Sequence, residues 1–328
     1  MIDRRRFVLA AAALAAASHG RAQSSPRTWR VGFLSARRRP PSLDADYYGA
    51  FPRRMRELGY VEGGNLAIEW RFADGDYDKL AGMAAELATT KVDAMLALGA
   101  PGAIAAQKAT ATIAIVFVVS ADPVKAGLVR SLARPGGNLT GISNLSADLT
   151  PKQLELLRAA VPRLARVAIL VNPANAVHAD IVASLERSAK AAGLASFPLQ
   201  AQTPPELERA IDAAKRGGAG ALIVALDPFL IQQQADIARA SMRVGLPTIF
   251  SNSEAADAGG LVTYGQNQSE IYARAAGYVD RILRGARPAD LPVEQPTKIE
   301  LVVNLRTARA LGLVPPASLL SAADRLIE

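Results

Sequence analysis

Residues 92–124, VDAMLALGAPGAIAAQKATATIAIVFVVSADPV, decide how the rest of the chain is read. They form a strand, a tight loop, a short helix, a second strand and a polar loop. Two apolar runs, Asp93 to Gly99 and Ile113 to Val119, stop abruptly, the first at Gly99-Ala100-Pro101 and the second at Ser120-Ala121-Asp122-Pro123. In a parallel sheet both loops fall on one edge, at the carboxyl ends of the strands. Open α/β sheets hold ligands at that edge, because helix N-termini converge there with unpaired backbone N–H groups. The stretch therefore predicts one lip of a small-molecule cleft.

The same rhythm extends in both directions. Upstream, Trp29 to Leu34 reads as a first strand. Asp44 to Leu58 carries Tyr47, Phe51, Met55 and Leu58 at helical spacing and closes on Gly59, as a helix C-cap does. Asn65 to Phe72 alternates like a strand, Tyr77 to Ala88 is helical, and Leu139 to Leu145 gives a fifth strand after Pro135-Gly136-Gly137-Asn138. Downstream the pattern repeats. Helices are expected at Pro151 to Val161, Val177 to Ala192, Pro204 to Arg216 and Phe229 to Val244, with strands at Val167 to Val171, Leu194 to Leu199, Ala221 to Leu226 and Pro247 to Phe250. Such alternation implies parallel sheets with right-handed crossovers.

The segments that remain are Leu261 to Tyr264, Glu270 to Arg284 and Ile299 to Val303, too little for a third domain. They are expected to cross back, complete the first sheet and return to the second. The predicted fold is α/β, with two doubly wound parallel-sheet domains joined by a three-strand hinge. The first lobe takes 27–144 plus 265–290, and the second takes 145–264 plus 291–328. A hinge crossed three times suits rigid-body closure around a ligand.

Composition narrows the function. The chain has 328 residues, half of them apolar, enough for two cores. Of its net charge of +8, a net three sits in the first 22 residues, as Arg4, Arg5, Arg6 and Arg21 against Asp3. The remaining excess is scattered, without a basic stripe interleaved with aromatics, so no nucleic-acid partner is expected. Residues 1–22 read as a cleavable signal: a basic start, an apolar run from Phe7 to Ala17 too short to span a bilayer, and Gly20-Arg21-Ala22 before the cut. The arginine run fits a loose twin-arginine signal as well as an ordinary secretory one. With no cysteine, the chain has no disulfide, no thiolate nucleophile and no lipid-modified cysteine. A soluble periplasmic protein is the expectation.

Several stretches carry a resemblance. They are Tyr47 to Glu69 (YYGAFPRRMRELGYVEGGNLAIE), Ser120 to Gly141 (SADPVKAGLVRSLARPGGNLTG), Leu170-Val171-Asn172-Pro173, Ala258 to Gly265 (AGGLVTYG) and Leu291 to Gly312 (LPVEQPTKIELVVNLRTARALG). On these the chain resembles a periplasmic substrate-binding protein of an ABC transporter, of type I architecture, in the branch associated with tryptophan and related aromatic amino acids. The resemblance covers essentially all of the chain after the signal. It implies capture of a small ligand, an aromatic amino acid or related organic acid, in the cleft, and delivery to an ABC permease in the inner membrane. It implies a monomer, without cofactor or metal.

Position within that architecture nominates the cleft residues. From the first lobe they are Ser35, Gly99, Ala100, Ser120 and Asp122, with backbone N–H groups at 100–102 suited to a carboxylate. Related sequences often carry a hydroxyl where this chain has Ala100. From the second lobe they are Asn172, Asn175, Asp227, Glu254 and Tyr264, with Glu254 as the foremost ammonium partner or, alternatively, a first-turn carboxylate at a helix N-terminus. Asp227-Pro228 and Asp122-Pro123 read either as ligand contacts or as helix-entry turns. Arg37-Arg38-Arg39 reads as a cleft rim that steers anions or as a solvated loop. Of Tyr47 and Tyr48, one ring is expected in the core and one at the pocket: helical periodicity puts Tyr47 on the buried stripe with Phe51 and leaves Tyr48 the freer ring, as a ligand contact.

Enzyme chemistry finds little support. His178 is the one histidine after the signal and is expected at a surface. One histidine without cysteine makes no ordinary zinc site. Gly-x-Ser-x-Gly, Gly-x-Gly-x-x-Gly and phosphate-loop motifs are all missing from the sequence. Two alternatives stay open beside transport: a ligand-sensing subunit for a membrane receptor, and a hydrolase working through paired carboxylates.

Overall fold

The computed structural model describes residues 27–144 and 146–328. The signal and its cleavage point lie outside the described residues. In chain order the elements of the first lobe are β1 (Trp29–Ser35), a 3-10 turn (Tyr47–Gly49), α1 (Ala50–Glu57), β2 (Leu66–Phe72), α2 (Lys79–Thr89), β3 (Ala94–Leu98), α3 (Gly99–Ala109), β4 (Ala114–Val119) and β5 (Leu139–Ser143). The second lobe begins with α4 (Ser146–Ala160), β6 (Arg166–Val171), α5 (His178–Ala191), β7 (Ala195–Gln200), α6 (Pro204–Arg216) and β8 (Ala221–Val224). It continues with α7 (Pro228–Gln232), α8 (Gln234–Arg243), β9 (Thr248–Asn252), a 3-10 turn (Ser253–Ala256) and β10 (Val262–Gln266). After it come α9 (Gln268–Leu283), a 3-10 turn (Pro288–Asp290), β11 (Glu300–Asn304), α10 (Leu305–Ala310), α11 (Ala317–Ser321) and β12 (Arg325–Ile327).

The first sheet has five parallel strands in the order β2-β1-β3-β4-β5. The stretch at 92–124 supplies its central β3–α3–β4 unit, with Ala94 to Leu98 paired to Ala114 to Val118. Every residue of β3 is buried, as a strand covered on both faces must be. The second sheet has seven strands in the order β12-β11-β10-β9-β8-β6-β7, parallel except where β10 meets β11. The architecture is thus mixed α/β with two sheets dominated by parallel strands.

One expectation about the crossings is corrected. The returning chain adds no strand to the first sheet, since β10, β11 and β12 all pair in the second. What crosses back is α9. Its Ile271, Tyr272, Ala275, Ala276, Val279 and Leu283 pack into the aromatic core around Phe33, Tyr48 and Phe51. The segment after it runs along β5, where Glu294 N–H donates to Gly141 O and Ser143 N–H to Glu294 O, both at 2.9 Å. The chain therefore stays with the first lobe past residue 291 before entering β11.

Phe33 centres the core of that lobe. It is fully buried, and the rings of Tyr48, Phe51, Trp70 and Phe72 lie 4.4–6.0 Å from its centroid. Among the described residues no helix is long and apolar enough to cross a membrane.

Candidate functional site

The corner after β1 is built around Asp46. It caps the turn at Tyr47–Gly49, accepting the Tyr48 N–H at 2.9 Å. Its carboxylate also takes the Arg37 guanidinium, with Nη2 to Oδ2 at 2.9 Å and Nη1 to Oδ1 at 3.3 Å. Arg37 is held with its Cζ 4.6 Å from the Tyr47 ring centroid and 4.7 Å from that of Tyr48. Tyr272 of α9 completes the group, stacking on Tyr47 at 5.4 Å and meeting Tyr48 edge-on at 4.9 Å. Ser35 supports it from behind, with Oγ 2.8 Å from the Tyr48 hydroxyl.

Electrostatics hold this corner as an ion pair, Arg37 against Asp46, among neutral rings. Arg37 is only 8% exposed. Burial disfavours its charge, but Tyr47, Tyr48 and Asp46 outweigh that and hold its pKa above the ordinary arginine value. Burial pushes the Tyr47 and Tyr272 phenols well above the usual tyrosine range, against the lowering influence of Arg37, so the rings stay neutral. With Asp46 on the terminal nitrogens, Arg37 Nε is left buried without a hydrogen-bond partner.

Arg37 and the three tyrosines line a cavity with about 500 Å³ of empty space, counting the part that opens to solvent. Leu98, Val118, Ile142, Ile231 and Ile271 supply aliphatic wall, and Leu226 to Pro228 of the second lobe close it from above. The helix α3 starts at this wall with no side-chain cap, its N-cap being Leu98. Gly99 is required there. Its φ of +72° is left-handed, and an added Cβ would sit 3.0 Å from Pro228 Cγ of the opposite lobe.

The lobes touch directly. The Tyr77 hydroxyl donates to Asp227 Oδ2 at 2.9 Å, Ser120 Oγ to Leu226 O at 3.4 Å, and Arg38 N–H to Gln232 Oε1 at 2.5 Å. Asp227 is the most heavily bonded of these groups. Its Oδ1 accepts from the N–H groups of Phe229 (2.9 Å) and Leu230 (3.3 Å) and from Asn172 Nδ2 (3.2 Å). Its Oδ2 accepts from Asn175 Nδ2 at 2.9 Å besides Tyr77. The Asp227 side chain is 0% exposed.

Of the residues nominated from sequence, Tyr48, Gly99, Ser120 and Asp227 line this cavity. Ser35 stands one bond behind it, and Ala100 is buried beside Gly99 without lining it. Asp122 faces elsewhere and opens a turn, accepting the N–H groups of Val124 and Lys125. Asn172 and Asn175 orient Asp227. Glu254 accepts the Gln268 N–H at 2.7 Å at the start of α9, so it fastens a crossing segment; burial raises its pKa, partly offset by that bond. Tyr264 packs on the second core and gives its carbonyl to Gln153 Nε2.

Three sequence readings change. Tyr48 is not the freer ring: it is 1% exposed against 9% for Tyr47, because the turn capped by Asp46 directs both rings inward. The arginine triplet is neither rim nor solvated loop as a unit, since Arg37 is buried on Asp46 while Arg38 is exposed. His178 is buried, not superficial: Nδ1 lies 3.0 Å from Asn172 N, and Nε2 lies 3.3 Å from Asn175 Nδ2 and 3.4 Å from Leu226 O. It does not border the cavity. Missed altogether were Tyr272 and Gln266, whose Oε1 is buried without a partner. Among the described residues no cluster of acidic, histidine or cysteine side chains could hold a metal.

Residues 39–327 match the family described as ABC transporter substrate binding protein. The chain belongs to that family. As a family member it is a solute-binding protein, outside any enzyme class, and such proteins work outside the cytoplasmic membrane beside an ABC permease. A tyrosine-binding protein from Clostridioides difficile is 29% identical over 274 residues, 83% of this chain and 78% of that one. The solved ABC domain in complex with L-Trp from Streptococcus pneumonia is 25% identical, with a TM-score of 0.82 over 92% of this chain and 100% of that one. A substrate binding protein with adhesive properties from Clostridium difficile, solved ligand-free and open, is 26% identical, with a TM-score of 0.63 over 92% and 99%. At nearly equal identity, this substrate-binding protein superposes better on the tryptophan complex than on the open form. That agrees with lobes that already touch, in the type I periplasmic architecture.

Proposed function

We propose that this substrate-binding protein captures a small carboxylate-bearing ligand with an aromatic or apolar body in the cleft between its lobes, and delivers it to an ABC importer. The observation that carries the reading is Arg37, a buried cation whose Nε has no partner, in a cavity lined by three tyrosines, aliphatic side chains and the polar residues Ser120, Asn144, Asp227, Gln266 and Gln268. A desolvated guanidinium N–H with nothing to donate to is costly, and a ligand carboxylate would satisfy it. The uncapped start of α3 at Gly99 offers further backbone donors to the same anion. The L-Trp complex and the tyrosine-binding relative support an aromatic amino acid or related acid as the ligand class.

The lobes, 27–144 with α9 and the segment through Glu294, and 146–266 with 300–328, would close as rigid bodies, Ser120 and Tyr77 meeting Leu226 and Asp227 on closure. Export by the N-terminal signal to the periplasm and action as a monomer complete the proposal. The test is thermal-shift screening of the protein against aromatic amino acids, aromatic carboxylates, small dicarboxylates and neutral sugars. A ligand bound only by the folded state raises the melting temperature. Stabilisation by sugars and by none of the anions would refute the carboxylate site.

A further inference from the structure

A ligand with an α-ammonium group needs something to receive three N–H donors and a positive charge. The neutral acceptors that line the cleft, on Ser120, Asn144, Gln266 and Gln268, bring no counter-charge. Among the described residues lining it, Asp227 is the one acidic side chain. Both of its oxygens are taken by five donors from Tyr77, Asn172, Asn175, Phe229 and Leu230, more than the roughly four lone-pair positions a carboxylate offers. Asp46 is spent on Arg37, and Glu254, on Gln268 N–H and Asn252, does not line the cavity.

Aromatic faces are the other common seat for an ammonium. Two of the three tyrosine rings already have a cation: Arg37 lies within 4.7 Å of the centroids of Tyr47 and Tyr48. A second positive charge beside them would meet the guanidinium in a site of low dielectric, where like charges repel strongly. What the cavity leaves unsatisfied is a different pair. Arg37 Nε is a charged donor without an acceptor, and Gln266 Oε1 is a neutral acceptor without a donor. One neutral amide oxygen suits a single phenol O–H or ring N–H and is too little for a desolvated ammonium.

From this we infer that the ligand is an aryl- or heteroaryl-alkanoate that lacks the α-ammonium group: a carboxylate for Arg37 and α3, an arene among the tyrosines, and a hydroxyl or ring N–H for Gln266. The inference rests on the carboxylate reading above and narrows it away from the amino acids named for the relatives. Asp227 becomes a clasp between the lobes.

The experiment is calorimetric titration of the protein with matched pairs: 3-(4-hydroxyphenyl)propanoate against L-tyrosine, and indole-3-propanoate against L-tryptophan, with the primary amide of each acid as the uncharged control. The expected result is at least one pair in which the acid binds tenfold or more tighter than its amino acid, and tighter than its amide. If in both pairs the amino acid binds as tightly as the acid or more so, the inference is overturned while the carboxylate site stands. Amides binding as well as acids would overturn the carboxylate site, and the inference with it. Absence of binding by every member up to millimolar concentration would also overturn it.

Discussion

Replacing Tyr77 by Phe removes one oxygen, and with it the hydrogen bond that ties the first lobe to Asp227 of the second at 2.9 Å. The ring keeps its place, packed against the hydrophobic cores of both lobes. A hydrogen bond to a charged group contributes about 1.5–3 kcal/mol. The lower end applies, because Asp227 keeps Asn172, Asn175 and two backbone donors after the change. About 1.5 kcal/mol taken from the closed state alone is roughly a tenfold weaker apparent affinity, since ligand binding must then supply that much more of the closure. The assay is titration of wild type and Tyr77→Phe with whichever member of the tyrosine pair binds, together with melting of both proteins without ligand. Because the bond ties lobe to lobe and neither lobe's core depends on it, the ligand-free melting temperature should fall far less than a core substitution would lower it. The dissociation constant should rise about tenfold. Affinity within twofold of wild type would refute the clasp.

Three further perturbations separate closure from stability. Gly99→Ala places a Cβ 3.0 Å from Pro228 Cγ at a φ of +72°, so it should hold the lobes apart and weaken binding more than tenfold, with about 1–2 kcal/mol of backbone strain; trimming the obstacle in Gly99→Ala/Pro228→Ala should recover part of the affinity, and no recovery would leave strain as the sole cause. Phe33→Ala empties the centre of the first core and should cost about 3–5 kcal/mol in urea unfolding, with a loss under 1 kcal/mol contradicting the packing described. Burial raises the Glu254 pKa above its ordinary 4.5, so the charged form is disfavoured in the folded protein: wild type bears that cost at pH above the raised value and sheds it as pH falls toward and below 4.5. Glu254→Gln, which keeps an acceptor for the Gln268 N–H, should therefore melt higher than wild type at pH 7–8 and converge with it near pH 4, as read by melting scans across pH; a difference that widens at acid pH would reverse the sign.

The strands were legible because a parallel strand covered on both faces must be an unbroken apolar run, and β3, β4, β6 and β8 are such runs. Short elements at the ends were not. β12 is three residues that begin with the exposed Arg325, fastened by a two-point ion pair from that residue to Asp257, 68 residues back in the chain. The expected helix from Phe229 to Val244 is two helices, α7 and α8, because Asp227 caps a turn that ends at Gln233 before a new helix starts. Such breaks follow from what a side chain meets in space, and apolar spacing carries no sign of them.

The cleft divides the same way. Gly99 and Ser120 were found because topology alone delivers strand ends to one edge. Arg37 was not, since nothing local separates it from Arg38 and Arg39. What separates them is Asp46, nine residues on, which takes two of its nitrogens, and two tyrosine rings that the same aspartate fixes by capping their turn. The third ring, Tyr272, arrives only through the crossing of α9, so its approach to Tyr48 depends on the hinge topology. A buried arginine is tolerable where partners from several segments meet, and those same segments must come together to form the cleft. That one nitrogen of this arginine stays unpaired, after so much of the chain has been arranged around the other two, is the strongest sign that the arrangement is completed by a ligand.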